Sequence, residues 1–252
     1  MKQEFAARYG EFERWHWWFR GRRRILESVL RAEIAAGGAR RIVSVGCGPA
    51  EGLDWLSDFA SPGGRVIGLD VDVTHATPRP DGILYVIGRP EAAPLHDGLA
   101  DAVVALDVLE HLEDDAAGLR ETARLVQPGG LLLVTVPAFE SLWGSQDVVS
   151  HHRRRYTRAG LLDVFARAGL ARPRVTYFNS LLFPPVAAVR WARRMFGLAE
   201  RARSDFDNAR PGAVNGVLEE VLAAERFLIP RLSLPLGVSL LATAHPQADK
   251  TP

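Results

Sequence analysis

Residues 43–52, VSVGCGPAEG, place two glycines one residue apart directly after a β-branched run. A strand that ends in G-x-G and enters a helix lets backbone N–H groups approach a ligand, with a helix N-terminus behind them. The dinucleotide fingerprint G-x-G-x-x-G needs glycine at 51, where this chain has Glu51. A pyrophosphate would be repelled by that carboxylate. The spacing therefore disfavours NAD and an oxidoreductase, and favours a ligand whose charge at this turn is small or zwitterionic. Two aspartates close apolar runs, Asp70 in RVIGLD and Asp107 in DAVVALD. At a strand end such a residue is either a ligand acceptor or a helix N-cap.

Two histidine-bearing stretches could hold a proton-transfer step. In HHRRRYT (151–157), a neutral His152 imidazole is a suitable base for a hydroxyl or a protonated amine, with Tyr156 nearby in the motif. The competing role for His152 is an anchor that orders its loop against Tyr156 or Asp147; His151 should face solvent. In RWHWWFRGRRR, His16, Trp17 and Trp18 could form a lid, and Arg22 could reach an anionic carboxylate. Packing of an amphipathic arm would explain the same aromatics. His111 suits the start of a helix better than chemistry. No His, Asp and Glu cluster has metal-ligand spacing, so no metal is expected.

The elements that must position these residues alternate. Helical spacing runs through Trp18, Ile25, Leu26, Val29, Leu30 and Ile34 until Gly37-Gly38. Short apolar strands are expected at 41–46, 65–70, 83–88, 101–107 and 131–137, with helices near 51–59 and 114–126 and a tight turn at QPGG (127–130). A short Pro-rich connection after Asp70 leaves little room for a crossover helix. Near-continuous apolar strands between helices mean a mostly parallel sheet covered on both faces. A helix at 157–169 and strands at 174–179 and 237–244 follow. The expected division is a helical arm at 1–37, a sheet core at 38–180 and 237–247, and a helical insertion at 181–236 that serves as packing, lid or dimer face.

In order and spacing, VSVGCGPA, RVIGLD, LDVLEHLEDD and ARLVQPGGLLLVTVP resemble the class I S-adenosylmethionine-dependent methyltransferases over residues 41–137. HWWFRGRRRIL and the D-x-x-x-x-H-x-R-R-Y-T pattern at 147–157 resemble a bacterial small-molecule subgroup. The resemblance implies a doubly wound, Rossmann-like α/β fold of seven strands that binds S-adenosylmethionine and releases S-adenosylhomocysteine. It places Gly46, Cys47 and Gly48 against the cofactor, Asp70 with Val71 at its ribose, and Asp107 with Val108 near its methionine ammonium. Arg89 and Pro90 fall where adenine is read, and Trp18 and Arg22 are further candidate contacts. Departures are Ser44 where the family has an acid, Ala50 for its third glycine, and Arg89 where an aspartate often reads the adenine amino group. Arginine and that amino group both only donate, so backbone groups near Arg89 and Pro90 must serve instead.

Composition narrows the partners. With 31 basic and 30 acidic residues the net charge is +1, which argues against DNA. The arginine clusters at 22–24 and 153–155 admit an RNA methyltransferase, but no recognition module accompanies them, and an anionic small molecule suits them better. One cysteine excludes an internal disulfide and makes a cytoplasmic setting the default. No signal peptide or membrane span is expected. The expected function is methyl transfer to a small O- or N-nucleophile; the alternative is a methyltransferase-fold binding or regulatory module without turnover.

Overall fold

The computed structural model describes residues 10–48, 50–72, 83–196 and 210–246. Helix α1 is Trp17–Glu33, and the strands are β1 Ala39–Val45, β2 Ala60–Asp70, β3 Ile83–Ile87, β4 Ala100–Leu106, β5 Val126–Pro137, β6 Arg174–Phe178 and β7 Ser239–Ala244. The other helices are α2 Asp115–Arg124, α3 Ser145–Ser150, α4 Arg158–Arg167, α5 Phe183–Met195 and α6 Ala213–Ala223. One seven-stranded, mostly parallel sheet runs in the order β3-β2-β1-β4-β5-β7-β6. Strands β1 to β5 pair in parallel, and Val43, Val45, Val103, Val104, Leu132 and Leu133 are fully buried. Parallel strands covered on both faces need such unbroken apolar runs. The Pro-rich connection at 73–82 lies outside the described residues.

Two expectations about local structure shift. The helix expected near 51–59 is a tighter 3-10 stretch, Ala50–Phe59. Leu53, Leu56 and Phe59 are all buried, and a helix of three residues per turn stacks that i, i+3, i+6 set on one ridge. The QPGG turn is drawn into β5. Pairing of β4 with β5 passes from Ala100↔Val126 to Ala102↔Leu131, so three extra residues loop out within the strand. The SPGG segment does the same in β2, where pairing with β1 passes from Ala39↔Ala60 to Arg41↔Arg65. Gly63 and Gly129 take φ of 74° and 75°, a conformation that glycine adopts without strain.

The chain forms two compact units. One holds Leu30–Val136, Ala159–Val175 and Leu241–Pro252, and thus the strand ends that follow β1, β2 and β4. The other holds Met1–Val29, Pro137–Arg158 and Thr176–Leu240. In this second unit the arm and the insertion, separate in sequence, pack together. Asn215 of α6 clamps the break before α1: its Oδ1 accepts the Trp17 N–H at 2.9 Å and its Nδ2 donates to the Trp15 carbonyl at 2.8 Å. Arg20 pairs with Glu219 at 3.0 Å. Buried Glu225 accepts the N–H groups of Asn179, Ser180 and Leu181 ahead of α5. Burial pushes its carboxyl above the ordinary range, against the pull of those three donors.

Candidate active site

The strand order reverses between β1 and β4, which makes the carboxyl ends of these strands a topological switch point, the usual ligand crevice of an open α/β sheet. Gly46, Asp70 and Asp107 all follow or end adjacent strands there. The loop after β1 is held by backbone bonds from Gly46 and Cys47 N–H to the Leu69 carbonyl, at 2.7 and 3.2 Å. The two glycines then differ. Gly46 has φ 62° and a Cβ on it would lie 2.7 Å from Val108 Cγ2, so this glycine is required by the protein's own packing. Gly48 has φ 63° and a Cβ there would meet nothing within 4 Å among the described residues. Its bare face is open, as a close-approaching ligand needs.

Asp70 organises that loop. Its Oδ2 accepts the Gly48 N–H at 2.8 Å and its Oδ1 the Asp72 N–H at 3.0 Å. Each carboxylate oxygen has a second lone pair, so two further donors can be accepted. Tyr85 of β3, which the sequence reading passed over as one more apolar strand residue, donates within reach of the Gly48 carbonyl (3.3 Å) and the Asp72 carbonyl (3.4 Å). Burial, with Cys47, Asp70 and Asp72 around it, drives its phenol far above the ordinary value and keeps it a donor. Cys47 is half-buried, its Sγ 3.4 Å from the Gly48 carbonyl. Val71 is exposed beside Asp70, whereas Val108 is buried under Gly46.

Asp107 carries φ 57°, rare for a residue with a side chain. Its N–H donates to the Thr135 carbonyl at 3.0 Å and its Oδ1 accepts from Thr135 Oγ1 at 3.1 Å. The short 3-10 turn that follows, Leu109–His111, is capped by Val108 without a side-chain bond, so Asp107 is not its N-cap. Arg89 projects into solvent and pairs with Glu91 at 3.6 Å, while its carbonyl accepts the Ala92 N–H.

In the other unit, Asp147 lies at the centre of a buried knot. Its Oδ1 meets His152 Nδ1 at 2.9 Å and Arg155 Nε at 2.8 Å; its Oδ2 accepts Arg155 Nη2 at 2.9 Å and the Gly144 N–H at 2.7 Å. Burial would raise the Asp147 carboxyl, but His152, Arg155 and the Gly144 amide outweigh it and bring it down to about 2. An ionised carboxylate only accepts, so the His152 nitrogen facing it carries the proton, and in the neutral ring Nε2 is the acceptor. Arg155, a position of the D-x-x-x-x-H-x-R-R-Y-T pattern, also donates to the Ala138 carbonyl. Tyr156 is buried, and its backbone bonds to Pro137 and Phe139. His151 is exposed, with φ 57° at the end of α3.

The aromatic arm is a packed cage. His16 is buried within 6.1 Å of the rings of Phe12, Trp15, Trp17 and Phe19. Burial lowers its pKa to about 4, and the neutral ring accepts the Trp18 N–H at 3.2 Å. Arg22 is buried with its guanidinium 4.7 Å over the Trp18 ring.

Residues 43–134 match a family model described as "Methyltransferase domain". A Mycolicibacterium smegmatis relative named "Probable S-adenosylmethionine-dependent methyltransferase" is 33% identical over 159 residues, covering 61% of this chain and 59% of that protein. Over this stretch the chain is similar to the class I S-adenosylmethionine-dependent methyltransferases. It spans about three fifths of that relative's length and less than half of a Mycobacterium tuberculosis one of the same description (33% identical, covering 48% of this chain and 43% of that protein). Among solved structures, a chain from the complex between the Haloferax volcanii Trm112 methyltransferase activator and its methyltransferase aligns with TM-score 0.59 at 20% identity, covering 99% and 97% of the two chains. The fold is that of these solved methyltransferases.

Proposed function

We propose that the chain transfers a methyl group from S-adenosylmethionine to a small O- or N-nucleophile. The open face of Gly48 beside the Asp70 carboxylate carries this reading: a backbone left bare, next to an acceptor with lone pairs to spare, at the strand ends where such folds bind ligands. Asp70 would hold the ribose hydroxyls, Gly46 to Gly48 the backbone contact, and Asp107 the ammonium group. Val71 offers apolar surface at the same edge, and the backbone near Arg89 and Pro90 serves adenine, since the Arg89 side chain turns to Glu91. When bound, the cofactor supplies an already activated methyl on sulfur, so alignment of donor and acceptor does much of the work.

His152 is the proposed base. Asp147 fixes its tautomer, and Nε2 takes the proton that the acceptor loses as its bond to carbon forms. Tyr156 supports this loop through its backbone. Calorimetric titration with S-adenosylmethionine and S-adenosylhomocysteine is the first test; heat from neither would overturn the reading. A second reading, a binding module without turnover, is favoured by buried Ser44 in place of the family's acid. Binding of both ligands with no S-adenosylhomocysteine formed across hydroxyl, amine and carboxylate-bearing acceptors would select it.

A further inference from the structure

Helix α5 buries none of its residues. At about 100° per residue, Val189, Trp191, Met195 and Phe196 share one arc with Pro184, Pro185 and Ala188. Those four apolar side chains are 51%, 65%, 64% and 76% exposed. The opposite side holds Phe183, whose ring meets that of Phe139 at 5.8 Å, with Val186, Ala187 and arginine. A Cβ on Gly144 would run into the Arg190 guanidinium, and Arg194 donates to the Glu140 carbonyl at 3.4 Å. The helix is thus apolar on both sides, and the outward one is left uncovered among the described residues, where an ordinary surface helix is polar.

The surroundings continue the pattern. Of the 15 exposed large apolar residues among the described ones, 11 lie between Leu181 and Leu236. Such a concentration is what an interaction surface shows, in contrast to scattered single residues. Arg193 and Arg194 fall on opposite flanks of the apolar arc, Arg194 exposed and tied to the described residues only by its 3.4 Å bond to the Glu140 carbonyl, and α5 contains no carboxylate.

We propose that α5 docks the protein onto an anionic lipid surface, with Trp191, Met195 and Phe196 at the acyl boundary and Arg193 and Arg194 at phosphate level. A helix with aromatic and aliphatic groups on one side and arginines on the flanks lies in the interface plane, its long cations reaching up to the headgroups. At 13 residues α5 is too short to span, and among the described residues no helix is long and apolar enough to cross a membrane. A second copy fits less well. A two-fold axis through α5 would set arginine flanks against each other with no carboxylate on the helix to offset them.

The test is flotation of the full chain with vesicles of phosphatidylcholine containing about 30% phosphatidylglycerol, against pure phosphatidylcholine. The wild type should float with the anionic vesicles and lose most of that binding at about 1 M salt, where charges are screened beyond a few ångströms. Trp191→Glu with Phe196→Glu should cut the bound fraction at least ~10-fold, and Arg193→Gln with Arg194→Gln should remove the preference for anionic lipid. Trp191, Phe196 and Arg194 are exposed and Arg193 is only half-buried, so circular dichroism should be unchanged. A wild type that stays with the soluble fraction would overturn the proposal. So would a wild-type dimer in sedimentation that Trp191→Glu with Phe196→Glu splits, since the face would then be covered by a second copy.

Discussion

Asp70 and Asp147 are both carboxylates held by backbone amides, yet they are built for opposite purposes. Asp70 is half-buried and uses one lone pair on each oxygen, for the Gly48 and Asp72 amides. Asp147 is fully buried and receives four donors, two of them from one guanidinium. A carboxylate with lone pairs to spare beside an open glycine can accept a ligand. One saturated by its own protein can only position its neighbours. The first is the proposed ligand acceptor; the second fixes a loop and the tautomer of His152.

The largest effect expected follows from breaking the saturated site. Asp147→Ala leaves Arg155 buried without its partner, and should cost about 3–5 kcal/mol of unfolding free energy. Denaturant titration measures it, and a loss under ~1 kcal/mol would show that the knot is not the structural centre described. His152→Ala leaves Arg155 on Asp147, so the fold should survive while kcat falls ~10²–10⁴-fold, with cofactor affinity unchanged. A pH step in kcat present in the wild type and absent in the variant would mark a base. If His152 only anchors its loop, KM for the acceptor rises and the step persists.

The ligand-accepting carboxylate should behave in reverse. Asp70→Ala should weaken S-adenosylmethionine binding by about 1.5–3 kcal/mol, the range for charged hydrogen bonds, with a much smaller change in stability. An unchanged dissociation constant in a folded variant rules out the ribose role.

Acid separates the two regions again. Asp147 drops from 3.8 to about 2 in the folded state, so its stabilisation is complete above pH ~4 and is lost as pH falls toward 2, about 2 kcal/mol in all. His16, lowered from 6.5 to about 4, has its own window: stability is full above 6.5 and declines as the unfolded chain takes up a proton that the buried ring refuses. His16→Phe should flatten the slope between those values in a stability–pH series and leave the lower window intact.

How much of this was legible in sequence depends on the range of the interactions. The strands of a mostly parallel sheet follow from period and turn residues, and Gly46, Asp70 and Asp107 stand out at the strand ends, all local signals. Asn215 across the His16 break, or Glu225 on three amides 44 to 46 residues away, leaves no local trace. Arg155 does stand in the D-x-x-x-x-H-x-R-R-Y-T pattern, but nothing local tells it from Arg154 until the fold turns it onto Asp147. Leu53, Leu56 and Phe59 did carry a period-three signal, but a window of ten residues reads as an ordinary helix unless spacing of three is weighed against 3.6.

The smallest effect distinguishes two glycines that sequence treats alike. Both Gly46 and Gly48 have φ near 60°, so alanine at either strains the backbone by roughly 1–2 kcal/mol. At Gly46 the new methyl also meets Val108 at 2.7 Å, and overpacking should add about 1–3 kcal/mol. At Gly48 nothing among the described residues lies within 4 Å, so strain is the expected stability cost. Gly48→Ala should therefore unfold only slightly earlier than the wild type and still bind S-adenosylhomocysteine more weakly, because its methyl occupies the space reserved for the ligand. Gly46→Ala should lose more stability, and any loss of binding there tracks the loss of fold. Paired thermal melts and titrations decide the matter. Wild-type affinity in a strained but folded Gly48→Ala would place the ligand elsewhere, and would remove the observation on which the cofactor site rests.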